Sequence, residues 1–128
     1  RELLSSIDWV DFDDFLNWTD EPHKIDLGHG QSIVLVRSRH DVERNPWEDL
    51  QRDIAGDHCD LLNSTDIDHS GVILDIGSNI GAEAIIAAKF HHRSQVIAME
   101  PLPMTYFYLL WNMKLNGVRA LEESEIAM

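Results

Sequence analysis

Between Gly71 and Leu115 the sequence runs through an apolar segment of strand length, a glycine-bearing turn, a helical segment, a second apolar segment and a second helical one. This order constrains the fold more than any other feature of the 128 residues. Val72 to Ile76 (VILDI) and Gln95 to Met99 (QVIAM) are short and almost continuously apolar, the pattern of strands covered by helices on both faces. Asp75 interrupts the first. Ala82 to Phe90 (AEAIIAAKF) is apolar on more than one side, as in a helix packed closely on a sheet. Met104, Phe107, Tyr108, Trp111 and Leu115 keep helical spacing up to a stop at Asn116-Gly117. A link of this length between the two strands implies a right-handed crossover, so they are expected to be parallel neighbours. A further strand is expected to begin around Val118 to Leu121.

The residues before Gly71 follow other patterns. Trp9, Phe12 and Leu16 recur at helical intervals within Arg1 to about Thr19, with Asp8, Asp11 and Asp14 on another side, which predicts an amphipathic acidic helix. Ile25 and Leu27, then Gly28-His29-Gly30, then the β-branched run Ser32 to Arg37 predict a hairpin. Asn45-Pro46-Trp47-Glu48 reads as a helix start, with Asn at the cap, Pro at the first helical position and Glu three after the cap. The stripe Trp47, Leu50, Ile54, His58 and Leu61 carries that helix to about Leu62, and Asn63 to Ser70 is a loop. The chain is therefore expected to hold one core, with residues 1–45 as a lead-in of helix and hairpin and residues 46–128 as a partial α/β domain.

Charge removes one class of partner. The 23 Asp and Glu against 10 Lys and Arg give a net charge of -13. The nearest approach to a basic patch, Arg37 to Arg44, also holds Asp41 and Glu43, so nucleic acid is not an expected partner. No apolar stretch approaches the roughly 20 residues that span a bilayer. The single cysteine, Cys59, has no internal disulfide partner and no cationic neighbour to activate it, which fits a reducing compartment such as the cytoplasm. No metal site is expected either. Asp66 to Gly71 imitates the first half of a calcium loop, but Gly77 stands where its bidentate Glu should be. Asp57-His58-Cys59-Asp60 and His91-His92 place ligand types on neighbouring positions that point in different directions.

The chemistry is concentrated in Asp75-Ile76-Gly77-Ser78-Asn79-Ile80-Gly81, at the carboxyl end of the first α/β strand. In open parallel sheets ligands sit beyond such ends, where glycine lets backbone approach a bound group and a helix begins with free N–H donors. Glu100 closes the neighbouring strand, and an acidic residue there can accept both hydroxyls of a ribose. A dinucleotide fingerprint fails, because Asn79 and Ala82 stand where its second and third glycines belong, and no Gly-Lys-Ser/Thr closes a phosphate loop. Asp75 would repel a phosphate and suits a cationic or zwitterionic ligand such as a sulfonium nucleoside with an amino-acid tail.

Val72 to Gly81 (VILDIGSNIG), Val96 to Pro103 (VIAMEPLP) and Asn112 to Gly117 (NMKLNG), in this order and spacing, resemble the opening motifs of S-adenosylmethionine-dependent methyltransferases of the FkbM family. The resemblance covers roughly Gly71 to Val118. It implies an α/β fold, a Rossmann-like parallel sheet of the SAM-methyltransferase type present as its first two strand–helix units, here preceded by a helix, a hairpin and a helix. It implies that Asp75, Gly77, Ser78, Asn79 and Gly81 contact the methionine portion of S-adenosyl-L-methionine, that Glu100 holds its ribose, and that Pro101 shapes the turn behind it. Asn112 and Asn116 match two asparagines near the end of the following helix. The implied activity is methyl transfer to oxygen on a small-molecule, glycan-like or lipid-like acceptor, and the resemblance assigns no catalytic residue. A full domain of this type resembles a seven-stranded sheet, so the resemblance also implies a truncated or fragmentary chain whose open sheet edge invites self-association. Two alternatives stay open: a noncatalytic methyltransferase remnant acting as a binding or interaction module, and a fragment of an NAD-dependent reductase.

Overall fold

A computed structural model describes residues 12–28, 30–58, 71–91 and 94–119. Trp9, Cys59, His92, the loop Asn63 to Ser70 with its calcium-like segment, and the side chains of Phe12, Asp57 and His58 lie outside the described residues.

The first element, α1 (Phe12–Trp18), has Asp13 and Asp14 in its first turn, where carboxylates favour the positive end of a helix. It docks through Phe15, which is buried and stacks on Tyr108 with ring centroids 5.1 Å apart. Leu16, expected on the buried stripe, is exposed. Thr19 instead extends the buried side, its hydroxyl donating to the Phe15 carbonyl and sharing a 2.8 Å hydrogen bond with the Tyr108 hydroxyl.

Strands β1 (His23–Gly28) and β2 (Gln31–Leu35) form the antiparallel hairpin, Ile25 opposite Ile33, with a bulge between Asp26 and Gly28. Strict alternation puts Ile25, Leu27, Ile33 and Leu35 on one buried face. Two corrections follow. A six-residue helix, α2 (Arg39–Arg44), stands where no helix is expected; Ser38 caps it by accepting from the Asp41 N–H. Asn45 closes α2 rather than opening the next helix, because its N–H donates to the Asp41 carbonyl, and Pro46 takes the cap position of α3 (Trp47–Asp53). One π-helical turn, Ile54–His58, continues α3.

The second unit follows the expected order: β3 (Val72–Ile76), α4 (Ala82–Phe90), β4 (Gln95–Met99) and α5 (Pro103–Leu115). β3 and β4 are parallel, in a register running from Val72 opposite Gln95 to Ile76 opposite Met99. Val118 and Arg119 belong to no strand, and the rest of the expected third strand lies outside the described residues. The described chain is thus a mixed α/β structure with a two-stranded parallel sheet, a separate hairpin and flanking helices.

One hydrophobic cluster joins the two units, from Phe15, Ile25 and Leu35 to Ile85, Phe107 and Tyr108. Two asparagines fix the seam. Asn112 accepts from the Val36 N–H at 2.6 Å and donates to the Val36 and Ile80 carbonyls; Asn116 accepts from the Val34 N–H at 2.8 Å and donates to the Val34 carbonyl. Four residues of helix rise about 6 Å and two of strand about 6.7 Å, so a pair at i and i+4 matches alternate strand residues. The side-chain amides thereby pair the side of β2 that faces away from β1.

Candidate functional site

The parallel register brings the tips of β3 and β4 together. Because Ile76 lies opposite Met99, the chain leaving β3 at Gly77 runs beside the chain leaving β4 at Glu100. The Gly77 and Ser78 N–H groups both donate to the Met99 carbonyl, at 2.9 and 2.8 Å. Ser78 is wholly buried, its hydroxyl donating to the Asp75 carbonyl at 2.7 Å and accepting from the Met99 N–H at 3.0 Å. This serine therefore clamps the two tips to each other, and its hydroxyl is committed to the chain.

Glu100 supplies the second clamp. One carboxylate oxygen accepts from the Asn79 N–H at 2.9 Å and the other from the Leu102 N–H at 3.0 Å. Asn79 is left-handed at φ 53°, a conformation asparagine tolerates better than most residues. Each Glu100 oxygen keeps a further lone pair for an incoming hydroxyl. Pro101 is exposed beside it, and Pro103 opens α5.

The two glycines serve different purposes. Gly77, at φ 75°, is exposed, and a Cβ there would meet nothing within 4 Å, so the backbone is open to an approaching group. Gly81, at φ 98°, is buried at the cap of α4, and a Cβ there would lie 2.5 Å from the Leu109 Cδ1. The missing side chain at Gly81 thus makes room for Leu109 of α5. Asp75, one residue before the tip, holds a buried carboxylate oxygen, Oδ2, without a hydrogen-bond partner. Such an oxygen carries a desolvation cost that a donor or cation would offset.

A cavity of about 530 Å³ lies next to this turn, lined by Ser78, Asn79 and Ile80 together with Arg37, Arg44 and Asn45. Neither Asp75 nor Glu100 lines it. In the sequence Arg37 only closes the apolar run SIVLVR and opens the mixed stretch that ends at Arg44; its place over the Trp47 ring and its bond to the Asn45 carbonyl exist only once α3 has packed beside it.

Over 78 residues the chain is 32% identical to a protein named methyltransferase sdnD from Sordaria araneosa. That stretch is 57% of this chain and 29% of the relative, so the chain spans less than a third of the length of the protein it matches. No family model and no solved structure matches the chain. The similarity relates it, distantly and over part of its length, to a methyltransferase.

Proposed function

We propose that the chain carries the cofactor-binding half of an S-adenosylmethionine-dependent methyltransferase of the FkbM type, built on a Rossmann-like sheet and acting on oxygen. What carries this reading is the paired strand tip: Glu100 bridges Asn79 and Leu102 across from the open backbone at Gly77, and Asp75 keeps a buried oxygen in want of a donor. That set suits a ligand with ribose hydroxyls and a cationic or zwitterionic centre. S-adenosylmethionine, when bound, supplies an electrophilic methyl group on a sulfonium. In this reading Glu100 holds the ribose, and Asp75, Gly77 and Asn79 face the methionine portion. Ser78 and Gly81 keep the turn in shape, and Pro101 stiffens its exit. The acceptor is a small molecule or a glycan-like or lipid-like alcohol. Among the described residues β3 and β4 pair only with each other, and their outer edges are where a second copy of the chain would associate.

Calorimetric titration with S-adenosylhomocysteine tests the reading. A folded sample should bind one equivalent, and Asp75→Ala should weaken binding about tenfold, a loss typical of one charge-assisted contact. Absence of heat at millimolar ligand would refute it, and thermal protection by NAD instead would move the site to the dehydrogenase class.

A further inference from the structure

Asn116 is the only asparagine of the chain that a glycine follows; the other five precede Trp, Pro, Ser, Ile or Met. That pairing carries a chemistry of its own. With no Cβ on the following residue to obstruct it, the Gly117 amide nitrogen is able to attack the Asn116 side-chain amide carbon, forming a C–N bond while the side-chain nitrogen leaves as ammonia. A succinimide ring results. Water then opens the ring at either carbonyl, so the net change consumes one water, releases one ammonia and leaves a carboxylate in place of the amide. One opening gives aspartate, and the other gives isoaspartate, whose main chain runs through the former side chain.

The fold holds the reacting atoms out of place. At the end of α5 the Gly117 N–H donates to the Lys114 carbonyl at 3.2 Å and the Val118 N–H to the Met113 carbonyl at 2.9 Å, with Gly117 left-handed at φ 69°. This cap sets ψ of Asn116 at 7°, which brings its own nitrogen, not its Cβ, into line with the Gly117 nitrogen. Ring closure needs the reverse. The side chain is pinned as well: its nitrogen donates to the Val34 carbonyl at 2.6 Å and the Asn112 carbonyl at 2.7 Å, and its oxygen accepts from the Val34 N–H at 2.8 Å. Exclusion of water plays little part, because Gly117 is exposed and Asn116 only half-buried. Two of the three side-chain bonds come from β2, so they last only while the hairpin stays docked.

The product does not suit the seam. A carboxylate at this position still accepts from the Val34 N–H but donates to neither carbonyl. It also sets negative charge against both carbonyl oxygens at the end of a helix, where negative charge is disfavoured. We propose that Asn116 is a deamidation site guarded by the hairpin: while β2 is docked the amide persists, and once the hairpin lifts from α5 the amide becomes a carboxylate that hinders redocking. Opening of the seam is thereby made irreversible at one residue. This inference does not depend on the methyltransferase reading.

The full chain, held in mildly alkaline buffer with and without urea, tests it, with mass spectrometry of the peptide containing Asn116 following the exchange of –NH2 for –OH. In urea Asn116 should be the first asparagine to react, and at least about tenfold faster than in the folded chain, since only the open fraction of the latter reacts. Equal rates with and without urea, or an Asn116 that outlasts the other asparagines in urea, overturn the proposal. Redocking is tested by Asn116→Asp and by the unaltered chain deamidated in urea and returned to buffer. In both, hydrogen exchange at the Val34 and Val36 N–H groups should be at least about tenfold faster than in the unreacted chain. Exchange as slow as before overturns the claim that the carboxylate hinders redocking, and failure of the deamidated chain to refold supports it. The rate comparison needs the unaltered chain alone.

Discussion

The hairpin and the parallel pair are both two-stranded, yet they dispose of their apolar residues in opposite ways. β1 and β2 alternate, put Ile25, Leu27, Ile33 and Leu35 into the core, and have the far side of β2 paired by the amides of Asn112 and Asn116. β3 and β4 are apolar on both faces, and among the described residues only the face toward α4 and α5 is covered. On the other, Val72, Leu74 and Ile76 are 59%, 58% and 76% exposed, with Ile97 and Met99 beside them. A cavity of about 410 Å³ lies along β4, lined also by residues of α4 and α5. The difference teaches that the stability of the described structure resides in the seam between hairpin and helices. The parallel pair is held mainly by its ladder and by the clamps of Ser78 and Glu100. An apolar face of that kind is typical of a contact surface.

The largest expected effect separates the two directly. Leu35→Ala empties a fully buried site and should cost about 2–5 kcal/mol in urea unfolding. Leu74→Ala, on the bare face, should change stability by no more than about 0.5 kcal/mol. A Leu74 variant as damaging as the Leu35 one would show that the second face is covered in solution and would abolish the contrast.

Next comes the seam. Asn112→Ala leaves the Val36 N–H and carbonyl and the Ile80 carbonyl without that partner inside the protein, at about 1–3 kcal/mol for each group left unsatisfied. A total near 3 kcal/mol is expected, against about 1 kcal/mol for Asn116→Ala, whose site is only half-buried. Equal losses at the two positions would mean that the ladder on β2 is not anchored at its buried end.

How much of this was legible in the sequence depends on the range over which each signal acts. That β3 and β4 run parallel as neighbours, with the glycine turn and Glu100 at adjacent strand ends, was readable, because two apolar runs joined by one helix favour that crossover; the bond from the Asn79 N–H to Glu100 was not. Ile25 and Leu27 were readable from alternation. α2 was not, since its six residues offer Val42 as their one apolar side chain and no period can be counted. Leu16 looked as apolar as Phe15; Tyr108, far along the chain, decides which of them is buried. Asn112 and Asn116 could be recognised as a motif, but their work on Val36 and Val34 exists only once a hairpin 76 and 82 residues earlier has docked. Ser78 and Gly81 belong to the turn motif, and their contacts within the chain, to Asp75 and Met99 and to Leu109, depend on β4 and α5 and so are not announced by the motif itself.

Within the turn the effects are smaller and test the clamps. Gly81→Ala forces a left-handed alanine and a 2.5 Å approach to Leu109, whereas Gly77→Ala brings the backbone strain alone. About 1–2 kcal/mol is expected from strain at each, with Gly81 the costlier by whatever Leu109 must move. Ser78→Ala removes the bonds to the Asp75 carbonyl and the Met99 N–H and should cost about 1–2 kcal/mol. Hydrogen exchange at the Gly77 and Ser78 amides is the sharper readout, because only opening of the β3–β4 tips exposes them.

The smallest effect is a slope rather than a loss, and it belongs to the packed half alone. Tyr108 is buried against Phe15, and that burial raises its hydroxyl pKa above the ordinary value of 10.0, while the bond to Thr19 partly opposes the shift. An acid whose folded pKa is raised keeps its proton longer in the native state than in the unfolded one. Between the two values the native state binds more protons, so stability is intact below the unfolded pKa and falls as pH rises through the folded one. Tyr108→Phe removes this dependence. Near neutral pH the variant should be about 1 kcal/mol weaker for want of the Thr19 bond, whose hydroxyl still donates to the Phe15 carbonyl. Above about pH 10 its urea midpoint should decline less steeply than that of the unaltered chain, so that the two curves converge. Tyr106, which is exposed, is common to both proteins and cancels in the comparison. Parallel curves would mean that the ring is already wet at neutral pH, and the seam between α1 and α5 would then be no tighter than the bare sheet it is contrasted with.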